Sequence, residues 1–291
     1  ILAMASNPGY NPNDLMGDSA EDVWANLQEQ EGQPLVNHAG AETLPPGSIF
    51  KIITTAAGLN NGFDPSSTLT GSNVITLPDT VTELTNYANQ KCNGQDAVTL
   101  QTAFALSCNT AFVEMSEQLG ADELRKYAKA FGVGENYDLG VSTSAGTLGD
   151  LPDGAATAQS AIGQRDVTMT ALQAAVMAGT VANKGTRMQP YLVNRITDAQ
   201  MKDIRTTKPK KADQAVNEDT AATLTDLMYA SERSSWGYDG NGFASKTGTA
   251  EHGEGLAPHV WYVAFDPERD IAVGVVVKNG GNLGESATGG K

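Results

Sequence analysis

The chain is poor in several residue classes. It has two cysteines, three histidines and 6% aromatic residues among 291 positions, and only 19 lysines and arginines against 34 acidic side chains. The shortage of basic groups leaves a net charge of -15, which excludes nucleic acid and anionic lipid as partners, because both are bound through basic surfaces. Apolar runs such as Ile271 to Val277 fall far short of the ~20 residues that cross a bilayer. No charged-then-apolar signal segment opens the chain. His38, His252 and His259 sit in no HExxH or Cys/His zinc spacing, so neither a metal nor another cofactor is expected. The two cysteines, Cys92 and Cys108, fit one disulfide in an oxidising compartment or two free thiols in a reducing one.

What is present suits a folded globular enzyme: 40% hydrophobic and 18% charged residues, enough chain for a sizeable core, and 31 glycines for tight turns. The opening Ile1 to Ala5 reads as a strand closed by the turn residues Asn7-Pro8-Gly9. Because the chain begins inside that run and ends at Gly289-Gly290-Lys291, it reads as a fragment whose membrane anchor has been removed. After Pro45-Pro46-Gly47, the residues from Ser48 to Gly58 are apolar on nearly every side, which predicts a buried helix with Ser48 at its amino end. Helical patterns follow over Thr99 to Gly132, interrupted around Ser107 to Thr110, then over Thr168 to Asn183 and Glu218 to Tyr229. Gly242 to Ala250, His259 to Asp266 and Ile271 to Asn279 read as three strands joined by short turns, which favours antiparallel pairing. The expected fold is one α/β domain with an antiparallel sheet flanked by helices, the α/β part over about 1–58 and 240–291 and an inserted helical lobe over about 59–239.

Three short patterns carry chemistry. Ser48 and Lys51 stand three apart on a helix and share a face; taken alone, such a pair is as easily a capping serine with a surface lysine. Lys51, however, lies between Phe50 and Ile52 in an apolar helix, where an unpaired ammonium is costly. Ser107 and Asn109 stand two apart and can serve one site only from a turn, which is where the helical pattern breaks; a plain polar turn would show the same spacing. Lys246-Thr247-Gly248, followed by Thr249, opens the late β-runs, and a glycine inside a strand marks close approach of another backbone, although an edge strand with a protective lysine reads the same way. Each pattern occurs once, in the order Ser-x-x-Lys, Ser-x-Asn, Lys-Thr-Gly, each on the kind of element its chemistry needs. Together they form the signature of penicillin-binding proteins and class A β-lactamases, whose second motif is written Ser-Asp-Asn.

The chain resembles the transpeptidase domain of high-molecular-weight penicillin-binding proteins along nearly its whole length. Ile1 to Asn13 resembles their first strand and Pro46 to Ile52 their nucleophile helix. Ala161-Ile-Gly-Gln164, Thr170 to Gln173, Ala182 to Gly185 and Pro190 resemble the stretch before their third motif, and Trp261 to Phe265 with Ala272 to Val276 the strands after it. Gln164-Arg165-Asp166 and the run from Lys246 to His252 are similar to an actinobacterial subgroup, from whose usual proline Ala171 departs.

The resemblance implies the serine β-lactamase and penicillin-binding-protein fold, no cofactor, and a D,D-transpeptidase that cross-links peptidoglycan stem peptides through a serine acyl-enzyme and is acylated by β-lactams. It implies Ser48 as nucleophile, Lys51 as base, Ser107 as proton relay, Asn109 as a holder of Lys51 and substrate, and Lys246 as a charge in the site. Thr247, Gly248 and Thr249 would bind substrate. An extracytoplasmic place of work, anchored to the cell membrane, follows, with division-machinery proteins as partners and a Cys92–Cys108 disulfide as the state of the two cysteines. A β-lactamase would need a water-activating glutamate, and Glu135-Asn136-Tyr137-Asp138-Leu139 does not give the Glu-x-x-Leu-Asn order of class A enzymes. A non-catalytic β-lactam sensor would share the motifs, whereas an α/β-hydrolase is disfavoured because no Gly-x-Ser-x-Gly occurs.

Overall fold

The computed structural model describes residues 1–253 and 255–281, so the closing Gly289-Gly290-Lys291 lies outside the described residues. Its helices are α1 (Ala20–Glu29), α2 (Lys51–Leu59), α3 (Leu100–Ala105), α4 (Asn109–Ala130), α5 (Gly154–Ala161), α6 (Ala171–Ala182) and α7 (Glu218–Ser234). Four two-stranded antiparallel ribbons accompany them. They pair β1 (Thr68–Thr70) with β4 (Ala97–Thr99), β2 (Val74–Thr76) with β3 (Glu83–Thr85), β5 (Thr186–Met188) with β8 (Lys211–Gln214), and β6 (Arg195–Thr197) with β7 (Asp203–Thr206). The stretch expected to be a helical lobe therefore carries short strands as well as helices. The principal sheet is antiparallel, in the order β11-β10-β9, built from β9 (Ala244–Ala250), β10 (His259–Asp266) and β11 (Ile271–Val277).

Local chemistry explains the element boundaries. The Thr168 pattern becomes helical only at Ala171, because Thr170 and Gln173 form a reciprocal capping box that satisfies two amino-terminal N–H groups. The side chain of Asn217 caps α7 by accepting from Thr220 N–H at 2.7 Å. Cys108 adopts an extended conformation before α4, and Ser107 takes φ 60, so the chain turns sharply between α3 and α4 instead of running through.

The core gathers on α2 and the turn that leads into it, where Ile49, Phe50, Ile52, Ile53, Ala56 and Ala57 are all fully buried. Helices α3 and α4 close over it with Phe104, Ala111 and Phe112, and the inner face of the sheet adds Trp261, Val263 and Phe265. Helix α6 packs on β10 and β11, and α7 on β9. Burying a side chain of this size stabilises the fold by about 1.5–3 kcal/mol, which makes α2 the most heavily anchored segment near the candidate site.

One expected element does not form: Ile1 to Ala5 has no strand assignment. An apolar run becomes a strand only when a neighbouring backbone accepts its ladder. Here the Ile1 amino group donates instead to Tyr191 O at 2.8 Å, while Ile1 and Met4 pack against the cluster of Tyr137, Leu139 and Leu172.

Cys92 and Cys108 form a disulfide with a Cα–Cα distance of 5.7 Å, closing a loop across a sequence separation of 16. Closing such a loop contributes roughly 3 kcal/mol. Cys108 lies between Ser107 and Asn109, so the bridge also pins the turn that presents both. The double substitution Cys92→Ser with Cys108→Ser is expected to lower the melting temperature by several degrees in differential scanning fluorimetry. An unchanged melting temperature would show that the bridge adds nothing to stability.

Candidate active site

The candidate site begins where the chain turns into α2. Gly47–Phe50 form a short 3-10 turn, so Ser48 is presented one turn before the regular helix starts at Lys51. Three neighbours hold this turn. Trp261 Nε1–H donates to Pro45 O at 2.8 Å, and Gly47 N–H donates to Gly163 O at 2.9 Å. On the third side lies β9, close enough that glycine is required at both facing positions. A Cβ on Gly47, whose φ is +53, would stand 2.3 Å from Thr249 O, and a Cβ on Gly248 would stand 2.8 Å from Pro46 O. Ser48 is left half-buried while Ile49, Phe50 and Lys51 are fully buried, so its side chain lies at the boundary between core and solvent.

A hydrogen-bonded chain, one member of which is Lys51 three residues after Ser48, is built from three separate elements. Lys51 Nζ donates to Ser107 O at 2.7 Å, to Asn109 Oδ1 at 2.7 Å and to Ser107 Oγ at 3.3 Å. Lys246 Nζ donates to Ser107 Oγ at 3.0 Å and to Thr247 O at 3.0 Å. Asn109 is held in turn by its Nδ2–H, which donates to Thr85 O at 3.1 Å. Lys51 Nζ lies 5.2 Å from the Phe112 ring centroid and Lys246 Nζ 5.9 Å from that of Phe104, so both cations meet aromatic faces in an otherwise apolar wall.

The electrostatics follow from this burial. Lys51 is held well below the usual lysine range, first by desolvation and then by the charge of Lys246. Lys246, also fully buried, is brought down to about 7 by desolvation. Two ammonium groups sharing one serine hydroxyl cannot both keep their charge cheaply, which disfavours the doubly charged pair. Glu135 pairs with Arg187 at 2.6 Å and Asp153 caps α5 through Ala156 N–H at 2.7 Å. Among the described residues, no carboxylate hydrogen-bonds to Lys51, Ser107 or Lys246.

Lys51, Ser107, Asn109 and Lys246 are thus brought together from α2, the α3–α4 turn and β9, with Ser48 three residues before Lys51 on the turn that β9 approaches. Thr247, Gly248 and Thr249 follow on β9, which has one ladder neighbour among the described residues and turns its other edge toward the Ser48 turn. The lysine differs from the sequence expectation in one respect. All three of its hydrogen bonds go to Ser107 and Asn109 and none reaches Ser48 among the described residues. The motifs did not point to Phe104, Phe112, Gly163 and Trp261, which shape the site without belonging to a motif. Gly163 and Trp261 carried a signal, inside the Ala161-Ile-Gly-Gln164 and Trp261 to Phe265 stretches, and a Cβ on Gly163 would stand 2.1 Å from Gly47 O.

A serine at the head of a buried helix, backed by two lysines that share a hydroxyl and flanked by a free strand edge, is the site of the penicillin-recognising serine enzymes. The chain belongs to the penicillin-binding protein transpeptidase domain family, whose model matches residues 1–291. It is 44% identical over 304 residues to the peptidoglycan D,D-transpeptidase PbpA of Mycolicibacterium smegmatis, covering 100% of this chain and 61% of that protein. The crystal structure of PBPA from Mycobacterium tuberculosis matches with a TM-score of 0.92 at 41% identity, over 96% of this chain and 66% of that one. The penicillin G acyl-enzyme complex of the same mycobacterial protein gives the same TM-score of 0.92 and the same identity and coverage. The chain therefore spans about three fifths of the length of the curated relatives named PbpA, 61% in each case.

Proposed function

We propose that this domain is a D,D-transpeptidase, which transfers the acyl group of a D-Ala-D-Ala stem peptide to an amine of a neighbouring peptide and is acylated by β-lactams at Ser48. The observation that carries the reading is the unbroken hydrogen-bonded path from Lys51 through Ser107 to Lys246, which starts on the helix that Ser48 precedes. Neutral Lys51 has a lone pair and takes the proton of Ser48 as its oxygen attacks the penultimate carbonyl. The backbone N–H groups of Ser48 and Thr249 receive the developing oxyanion, a contribution of about 3 kcal/mol per donor. Ser107, bonded to both lysines, returns the proton to the departing D-alanine nitrogen, and the C–N bond breaks to leave an ester on Ser48. Attack by the acceptor amine then reverses these roles and frees the serine.

Lys246 with the hydroxyls of Thr247 and Thr249 clamps the terminal carboxylate, while the free edge of β9 pairs with the peptide backbone. Both relatives support this reading, one named a peptidoglycan D,D-transpeptidase and the other described as a penicillin G acyl-enzyme complex. The proposal extends to an extracytoplasmic, membrane-anchored place of work and to division-machinery partners for the longer protein; among the described residues no helix is long and apolar enough to cross a membrane. For the residues themselves we infer one domain, with the α/β part over about 1–58 and 240–291.

The test is a thioester mimic of the stem peptide offered with a D-amino acid acceptor. Mass spectrometry is expected to show the aminolysis product outgrowing the hydrolysis product as acceptor is raised. Formation of the hydrolysis product alone would indicate a carboxypeptidase, and a stable adduct with no product a sensor.

A further inference from the structure

A buried carboxylate that the chemistry above does not use stands on the other side of β9. Glu232, near the end of α7, is 4% exposed. Its Oε2 accepts from Ser245 Oγ and from Tyr262 Oη, the latter at 3.0 Å, and its Oε1 accepts from Asn241 Nδ2 at 3.4 Å. All these partners are neutral. Placing a carboxylate here is costly, because desolvating the charge must be offset by a few hydrogen bonds, and a glutamine would satisfy at least the two hydroxyls. The gain is rigidity, since hydrogen bonds to an ionised acceptor are shorter and roughly twice as strong as neutral ones.

What those bonds fix is a particular rung of the sheet. Ser245 immediately precedes Lys246, and Tyr262 is the register partner of Thr247. Tyr262 is committed to the staple: burial, the largest influence, pushes its hydroxyl up to about 12, so it remains a donor throughout the working range. Asn241 extends the same grip to the loop leading into β9, where its Oδ1 accepts from Phe243 N–H at 3.0 Å. One carboxylate thus ties α7, β9, β10 and the entry loop together at the height where Lys246 and Thr247 project.

We propose that Glu232 is a positioning residue for recognition of the substrate's terminal carboxylate, acting through Ser245 and Tyr262 on the Lys246-Thr247 edge; the inference rests on the carboxylate clamp described under the proposed function. A general loss of fold slows acylation by every ligand, whereas a displaced clamp penalises only ligands that carry the carboxylate. The second-order acylation rate is therefore measured with benzylpenicillin and with its methyl ester, by intact mass, for the wild type, Thr247→Val, Glu232→Ala, Glu232→Gln and Tyr262→Phe.

Thr247→Val is expected to slow the free acid about tenfold, the equivalent of roughly 1.4 kcal/mol, and to leave the ester nearly unchanged. Glu232→Ala is expected to reproduce that selectivity. Glu232→Gln, which keeps an oxygen facing the two hydroxyls, should recover most of the loss, and Tyr262→Phe should show the same selectivity on a smaller scale. If Glu232→Ala does not fold, Tyr262→Phe decides the matter, since it deletes a single hydroxyl. Equal slowing of acid and ester in the Glu232 and Tyr262 variants, or no slowing of either, would overturn the positioning role while Thr247→Val keeps the clamp intact. Failure of Thr247→Val to discriminate would remove the clamp itself and the positioning role with it.

Discussion

Substitution Ser48→Ala is expected to abolish covalent labelling by benzylpenicillin, with one penicilloyl group on the wild type by intact mass and none on the variant. The serine is half-buried at the mouth of a turn whose shape is set by Gly47, Gly163 and Gly248, so removing its hydroxyl leaves the packing of α2 in place. The melting temperature should therefore change little, within about 0.5 kcal/mol of stability. The lifetime of the wild-type adduct is the more discriminating part. Hydrolysis of the ester requires a base aimed at water, and Glu135 and Asp153, two carboxylates a hydrolase could recruit, are occupied by Arg187 and by the start of α5. The label should persist for minutes or longer. Rapid turnover with accumulating penicilloic acid and no labelled protein would assign the domain to the β-lactamases.

Lys51→Ala is expected to lower the acylation rate by about a thousandfold or more, because it removes both the proton acceptor and the residue that orders Ser107 and Asn109. Some loss of stability accompanies it. Ser107 O and Asn109 Oδ1 each lose a 2.7 Å bond, at about 1–3 kcal/mol for each acceptor left unpaired away from water. In the wild type the pH profile separates the two lysines. Lys51 must be neutral to accept a proton, and its ionisation is depressed by burial, so acylation falls on the acid side as Lys51 regains its proton. Lys246 must be charged to hold a carboxylate, and it loses its proton above about 7, so acylation of carboxylate-bearing ligands falls on the alkaline side. A stopped-flow rate that rises steadily from pH 6 to pH 10 would reverse this assignment of roles.

Much of this was legible from residue order. The Ser-x-x-Lys spacing on an apolar helix implied a lysine inside the protein, and Lys51 is fully buried. The break in helical pattern at Ser107 implied a turn, and Ser107 takes φ 60 between α3 and α4. The three late β-runs formed three antiparallel strands, because short connections leave no other pairing. The expected strand at Ile1 to Ala5 did not form, since pattern reports a tendency to extend and not the presence of a partner edge.

The residue types and their spacing by themselves determined the family, the three motifs and the elements that bear them, because each motif is local and helical or strand periodicity reads it directly. Tertiary structure alone decided which lysine proton goes where. The direction of the Lys51 shift depends on its burial in the packed interior and on Lys246 beside it, 195 positions away in the chain (246 minus 51). The same holds for Glu232, an ordinary acidic residue in an amphipathic helix until folding buries it against Ser245 and Tyr262. Burial and the approach of distant charges are properties of a packed interior, and periodicity along one element carries no record of what is packed against it.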